Sequence, residues 1–406
     1  MYGAGLLPFL LQADPRNDAD DHRRWHMPTV ESIAVRFPGM DLHKDPKSAT
    51  APGYHYLLAG LMKAGARETV LRGVHAGICL MVILFLGAWA ARVLPWKDVL
   101  VLLSPLAWSP YFLKASAWIV TDNVALLGMT AALILMVSPA GRVRCGWLGL
   151  MVTATVWVRQ NTLWLVFPGA VALGREWGKT GVWRWMGKFL LLTLGPLLSV
   201  GWMAWEWGGL VPPVWREANQ GLSPVSLVHA LALAACILGP GALFLIASGL
   251  LRMENKKIWV ITGLLGLAWA STFTSTPDMG EGRWGGVLWK VAERVPDTAG
   301  RSWVFLLLTP CGVMAMVVWA EALIRHTGAL GGVWVSAIGV WMLAMGTNPQ
   351  AFHRYVEPPL WIFMIFGLVL LIQKNGLPRF WAHGRALFAA MAGLQACGLI
   401  WLWMRA

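Results

Sequence analysis

From residue 73 to 404 the chain repeats one pattern, an apolar run followed by a short polar break. The runs fall at 74 to 92, 98 to 113, 119 to 138, 146 to 158, 161 to 173, 188 to 207, 226 to 250, 258 to 273, 303 to 324, 329 to 346, 357 to 373 and 385 to 404. A bilayer crossing takes about 20 apolar residues, so the pattern predicts about twelve transmembrane or partial spans, several of them short. The expected fold is all-α, a polytopic transmembrane helical bundle forming a single integral membrane domain over 1–406. Residues 12–72 break the pattern as one long polar loop. Before it, Gly5 to Leu11 is apolar but too short to cross, and is expected to be the stump of a first span whose start lies upstream.

The polar loop holds the densest acid and histidine content of the chain, opening with Asp14-Pro15-Arg16-Asn17-Asp18-Ala19-Asp20-Asp21-His22-Arg23-Arg24-Trp25-His26-Met27-Pro28. Pro28 suits a first helical turn, and Val30, Ile33, Ala34 and Phe37 recur at helical spacing, predicting a short helix over 28 to 37 lying on the membrane. Asp41 to Lys47 reads as a charged turn, and Thr50 to Tyr56 leads into a second amphipathic stretch. Long loops in multispan proteins tend to carry function, although an acidic run is also what a solvated loop looks like.

Composition changes the picture only by excluding classes. With 57% hydrophobic and 13% charged residues and a net charge of +13, the chain is a membrane protein. Its basic residues are scattered between apolar runs rather than gathered on one face, which points to topology and away from nucleic acid. Cys79, Cys145, Cys236, Cys311 and Cys397 show neither CxxC pairing nor metal-ligand spacing and read as small packing residues. Loops bearing Arg92 and Lys97, Arg142 and Arg144, Arg175 to Lys188 including Lys179, Arg252 to Lys257, Arg325, and Lys374 to Arg385 are cytoplasmic by the positive-inside rule. The opposite face then receives the first loop, Lys114 to Asn123, Arg159 to Asn161, Trp207 to Ser223, Thr274 to Ser302 and Gly346 to Pro358.

Every polar cluster of interest lies on that outer set. Arg159-Gln160-Asn161 sits between two apolar runs, where an arginine at the bilayer centre costs about 2.5 to 3.5 kcal/mol. It reads either as a tight turn whose arginine snorkels to headgroups or as a donor cluster for a phosphate. Thr121-Asp122 opens an apolar run, as a helix cap or as a group orienting a substrate hydroxyl. Arg354-Tyr355 stands before a late run, against the positive-inside bias. The loop 274 to 302 carries Asp278, Glu281, Arg283, Lys290, Glu293, Arg294 and Arg301 and fits an amphipathic or re-entrant lid. Trp25, Trp118, Trp207, Trp215 and Trp284, with Tyr54, Tyr56, Tyr111 and Tyr355, fit an interfacial aromatic belt or sugar-stacking surfaces.

The order of these motifs resembles the polyprenyl-phosphate-sugar-dependent glycosyltransferases of the GT-C fold, and within them the eukaryotic alpha-1,2-glucosyltransferases that add the last glucose to the dolichol-linked oligosaccharide. The family's acidic pair, His-x-Pro and Thr-Thr-x-Pro-Gly-x-Tyr are similar to Asp20-Asp21, His26-Met27-Pro28 and Ala49-Thr50-Ala51-Pro52-Gly53-Tyr54. Its Pro-x-x-Tyr-Phe and Tyr-Thr-Asp resemble Pro105 to Phe112 and Val120-Thr121-Asp122. Its Arg-Gln-Thr-Asn-Ile-Ile-Trp resembles Arg159-Gln160-Asn161-Thr162-Leu163-Trp164, and its Glu-x-Arg-Tyr resembles Phe352-His353-Arg354-Tyr355. The chain departs from the family in three places. The acidic pair stands one position further from His26, His22 taking its place; Asn161 and Thr162 are exchanged; and Phe352 replaces the glutamate.

The resemblance implies inverting transfer of a hexose, glucose favoured, from a polyprenyl-phosphate sugar donor to a glycan or lipid-linked acceptor on the extracytoplasmic face of the bilayer, with a bacterial inner membrane favoured by the compact loops. It implies Asp21 or Asp20 as catalytic base, Arg159, Gln160, Asn161, Arg354 and His26 at the donor phosphate, and Thr121, Asp122, Tyr54 and Tyr355 at substrate. No cofactor is required, because two arginines can replace a divalent ion; a metal on the acidic loop stays open as an alternative. The rival class is a lipid or polysaccharide transporter without chemistry, which would place ionisable residues near the midplane and often shows internal repeats.

Overall fold

The computed structural model describes residues 2–11, 18–138, 142–175, 181–219, 222–251, 255–275, 284–376 and 378–405. Lys179, Arg252, Asp278, Glu281 and Arg283, which the sequence places in loops, lie outside the described residues. The fold is all-α. The chain forms two compact units, residues 1–89, 106–219 and 392–406 in one and residues 90–105 and 220–391 in the other.

The first unit begins with α1 (Tyr2–Leu11), then α2 (Asp18–Asp21), a π-helical turn at His22–His26, α3 (Met27–Arg36), α4 (Gly53–Lys63) and α5 (Glu68–Ala90). After α6 (Trp96–Ala107), most of which belongs to the second unit, the first unit resumes with α7 (Pro110–Ala117), α8 (Asp122–Val137), α9 (Arg142–Val158), a 3-10 turn at Gln160–Leu165, α10 (Val166–Gly174) and α11 (Val182–Trp207). Ser109 starts α7 by accepting the Phe112 N–H at 3.2 Å, with Pro110 in the first turn. α3 is the helix expected over 28 to 37, but its stripe is not turned to lipid. Val30, Ile33 and Ala34 are buried with Tyr54, Leu58 and Ala59 of α4, Leu71 of α5 and Ile119. Val30, Ile33, Leu58 and Leu71 each contribute about 1.5 to 3 kcal/mol on full burial, which favours folding the polar loop onto the protein.

The second unit contains α12 (Pro224–Ala247), α13 (Lys256–Thr272), α14 (Val287–Ala292), α15 (Trp303–Thr327), α16 (Ala329–Gly346) and α17 (His353–Asn375). A last helix, α18 (Pro378–Arg405), follows. α12, α15 and α16 surround α17, and α12 lies against α15 so closely that a Cβ on Gly312 would collide with the Leu231 carbonyl. Two-residue strands at Trp284–Gly285 and Ala351–Phe352 pair in parallel, tying the end of one loop to the start of α17.

Among the described residues six helices, α5, α11, α12, α15, α16 and α17, are long and apolar enough to cross a membrane, or seven spans if α6 and α7 count as one broken crossing. The expected run at 385 to 404 lies within the 28-residue α18, whose apolar stretch is shorter, and most of the remaining runs form shorter helices among the described residues. α8 has 16 residues, α9 17 and α13 17, and the run at 161 to 173 divides into the 3-10 turn and the nine-residue α10. The chain is therefore a multi-pass membrane protein by helix length and hydropathy. Burial separates two kinds of span. In α17, 94% of the most apolar window is buried, against 33% in α11, so α17 is a core helix while α11 turns an apolar face outward. Cys79 and Cys145 are buried as expected of packing residues, whereas Cys236, Cys311 and Cys397 are exposed on helix surfaces.

Candidate active site

Arg159 has extended backbone angles, φ −146° and ψ 113°, between the last turn of α9 and the 3-10 turn. The break follows from local chemistry. The Arg159 carbonyl accepts the Thr162 hydroxyl at 2.7 Å and the Thr162 N–H at 3.0 Å, closing a tight turn that an uninterrupted helix would not make. The guanidinium so released forms an ion pair with Asp122, the first residue of α8. Asp122 is nearly buried and Arg159 about one-sixth exposed at the side chain, so the pair is shielded from screening by water. The contact gives Asp122 a partner that neither the cap reading nor the substrate-hydroxyl reading had supplied. Thr121 is the residue before the helix, its side chain makes no capping bond, and Asp122 sits in the first turn. There its charge also suits the helix dipole.

Gln160 acts on the loop. Its Oε1 accepts the Ala51 N–H at 2.9 Å, and its Nε2 donates to the carbonyls of Ala49 at 2.9 Å and Leu210 at 2.8 Å. Both amide hydrogens are thus directed at backbone in this structure, and the side chain expected at the donor phosphate is a clip holding residues 49–51 and 210 beside Arg159. Asn161 is exposed. Gly53 explains part of the Pro-Gly-x-Tyr motif, because a Cβ there would stand 2.7 Å from the Trp157 carbonyl oxygen. Only glycine lets α4 start that close to the end of α9.

The acidic turn docks on the residues leading to Asp122. His22 is fully buried, with its ring 5.4 Å from that of Trp118 and Nε2 2.9 Å from Glu68 Oε1. Burial pushes its pKa down, with the Glu68 contact opposing the shift. Arg72 of α5 lies over the Trp118 ring at 3.7 Å and donates to the Ala117 carbonyl at 3.0 Å. Asp20 is exposed with a loose contact to Arg24 at 3.8 Å, and Asp21 is half-buried. The turn from His22 to His26 is π-helical, the Met27 N–H bonding to the His22 carbonyl five residues back. Such a turn carries one extra residue, so it is Asp21, five before His26, that recurs on the side of the helix which a residue four before it would occupy in an α-helix.

His26 and Tyr54, both expected at ligand, are interior groups. His26 Nδ1 is 2.8 Å from His55 Nε2 with the rings nearly parallel, and burial pushes the His55 pKa down to about 4. The Tyr54 hydroxyl meets His75 Nδ1 at 2.7 Å, while His75 Nε2 lies 2.8 Å from the Ala115 carbonyl. Because that carbonyl can only accept, Nε2 carries the proton and the tyrosine donates to Nδ1. Trp118 and Trp207 are also interior, Trp207 donating to the Leu42 carbonyl at 3.0 Å, so neither belongs to an aromatic belt.

Arg354 and Tyr355 belong to the second unit, in the first turn of α17. The Arg354 guanidinium carbon lies 5.2 Å from the Phe352 ring and 5.1 Å from the Tyr355 ring, and it donates to the Tyr355 hydroxyl at 3.1 Å. Tyr355 in turn donates to Gln350 Oε1 at 3.3 Å. Among the described residues no group of three or more His, Cys, Asp or Glu is disposed to hold a metal ion.

Sequence reasoning missed Ala49, Ala51 and Leu210, which act through backbone and carry no side-chain signal, and it missed the pairing of Asp122 with Arg159. Fold and site define a multi-pass helical membrane protein with an ion pair at a helix break beneath a folded polar loop. Comparison with protein-family models, with curated proteins and with solved structures found no match to the chain.

Proposed function

We propose that the chain is a membrane glycosyltransferase that moves a hexose from a polyprenyl-phosphate sugar to a glycan or lipid-linked acceptor, with inversion, on the extracytoplasmic face. The observation that carries the reading is Arg159, set at a helix break, oriented by Asp122 and roofed by the loop that Gln160 clips in place. A guanidinium has five N–H donors in a planar fork, more than one carboxylate can take, and so can be aimed by an acid while serving a phosphate. In the reaction the acceptor hydroxyl oxygen attacks the anomeric carbon and gives its proton to Asp21. The bond from that carbon to the phosphate oxygen breaks, and its electron pair leaves on the polyprenyl phosphate, where Arg159 balances the charge. The π-turn favours Asp21 over Asp20 as the base. Arg354 and Tyr355 are assigned to the donor and acceptor by the sequence resemblance alone.

The test is Arg159→Lys. Lysine keeps the charge and reaches an interface equally well, but loses the planar pair of donors. Losing about 1.5 to 3 kcal/mol of charge-assisted bonding lowers donor-dependent transfer by roughly 10- to 150-fold. Thermal stabilisation of the detergent-solubilised protein by polyprenyl phosphate falls with it. Wild-type kinetics and unchanged stabilisation would return Arg159 to a structural ion pair and remove the proposed phosphate site.

A further inference from the structure

Trp25 and Trp215 are drawn together from distant parts of the first unit. Their ring centroids are 4.6 Å apart and their planes cross at 77°, making a corner of two aromatic walls. The corner is rigid on the Trp215 side. Pro212 and Pro213 fix the backbone before it, and the indole Nε1–H donates to the Lys47 carbonyl at 2.8 Å. Trp25 keeps 37% of its surface exposed and lies on the π-turn between the exposed Arg23 and Arg24 on one side and the buried His26 on the other. Asp21, the proposed base, is four residues earlier, immediately before the same π-turn.

A belt tryptophan anchors a protein by placing its ring in the acyl boundary and its N–H among headgroups. Trp215 does not match this, since its N–H is given to a protein carbonyl. An exposed indole packed edge-to-face on a second, fixed one, with the exposed Arg23 and Arg24 adjacent to it in sequence, instead suits a ligand with one apolar face and a polar rim. A pyranose ring has that shape, its axial C–H bonds forming a flat apolar patch and its hydroxyls pointing outward. We infer that Trp25 and Trp215 form a stacking subsite for a sugar ring of the acceptor, beside the base. This rests on the proposed transferase reading for its role in turnover, but not for sugar binding itself.

The experiment separates the two. Saturation-transfer NMR is recorded with a soluble glucose trisaccharide and the full chain in nanodiscs, for wild type, Trp25→Leu, Trp25→Phe and Arg159→Lys. The expected result is transfer to sugar ring C–H protons in wild type and Arg159→Lys, partial transfer in Trp25→Phe, and none in Trp25→Leu. In the transfer assay Trp25→Leu raises the acceptor KM by about tenfold while kcat and the donor KM stay unchanged. Sugar binding lost in Trp25→Leu from a protein that transfers nothing would uphold the subsite and sink the transferase reading. Equal sugar signals in wild type and Trp25→Leu, no signal in either, or loss in Trp25→Leu only of fluorescence quenching by brominated lipid would overturn the subsite.

Discussion

The first loop contains two acidic stretches that look alike as sequence and differ in structure. In the stretch from Asp41 to Asp45, Asp45 is wholly buried, accepting the Ser32 hydroxyl at 2.8 Å and the Asp41 N–H at 2.7 Å, with Arg36 at 3.2 Å. Asp41 closes its own turn by accepting the N–H groups of His43 and Lys44 at 3.0 and 3.2 Å. Those bonds to its charged form hold its pKa below the usual carboxylate range. In the stretch at Asp20 and Asp21, one carboxylate is exposed and the other half-buried, on a turn docked next to the segment that carries Asp122. Acids turned inward onto backbone and hydroxyl donors hold the loop in shape; acids on the rim of that loop can meet a substrate. An acidic run is therefore not one feature, and only burial divides it.

The largest effect should come from the inward acid. Asp45→Ala strands the Ser32 hydroxyl and the Asp41 N–H, each bonded to a charged acceptor and each worth roughly 1.5 to 3 kcal/mol. The Arg36 contact adds little because that guanidinium is nearly half exposed. A loss of about 3 kcal/mol is expected, read as a lower unfolding temperature and faster proteolysis between α3 and α4. Unchanged unfolding would dissolve the distinction between the two stretches.

Next, the rim acids should show the opposite profile. Asp21→Asn keeps size and polarity but cannot take a proton, so turnover should drop by about 100-fold or more with unfolding and donor binding intact. Asp20→Asn, measured in parallel, should cost far less, as the π-turn places Asp21 on the His26 side. Full activity in both variants would take the base out of this loop.

Between these lies the seam on which the loop rests. Gly53→Ala puts a methyl group 2.7 Å from the Trp157 carbonyl and 2.8 Å from its Cβ, neither of which is the far end of a flexible chain. Overpacking of this kind costs about 1 to 3 kcal/mol, and because Trp157 is two residues from Arg159 the shift should also weaken donor binding. A variant with wild-type stability and donor affinity would show that α4 can move away without disturbing the helix break.

Periodicity made the first-loop helix legible, since Val30, Ile33 and Ala34 share a face that ends up in the core, and it made the apolar runs legible as helices. It could not say what that face met. Lipid and the packed side chains of α4 are equally apolar, so the expected membrane contact became a protein contact. Span number blurred for a related reason, because hydropathy marks Arg159 as an interruption without saying whether the helix bends, ends or turns 3-10. The break itself was visible in Arg-Gln-Asn, but its partners were not. Asp122 lies 37 positions earlier, and the groups Gln160 holds are backbone atoms of Ala49, Ala51 and Leu210, which any residue supplies. Asp45 was hidden likewise, its burial depending on Ser32 and Arg36 one helix away.

The smallest expected effect concerns how pH acts on the two sides of the loop. His55 is fully buried against His26, and its pKa in the folded protein is near 4, while an exposed histidine titrates near 6.5. The unfolded chain thus takes up a proton as pH falls through about 6.5 and the folded chain does not until near 4, so the stability contributed by neutral His55 is complete above that upper value and lost progressively across the window. His22, also lowered by burial, adds in the same direction. Acidification from pH 7 to 5.5 should destabilise the loop by about 1 kcal/mol through His55. Hydrogen exchange of α3 and α4 at the two pH values measures this, with His55→Gln as the control that removes the titrating group. If the wild type and His55→Gln lose protection equally on acidification, the pH response belongs to His22 or another group, and the buried His26–His55 contact does not carry it.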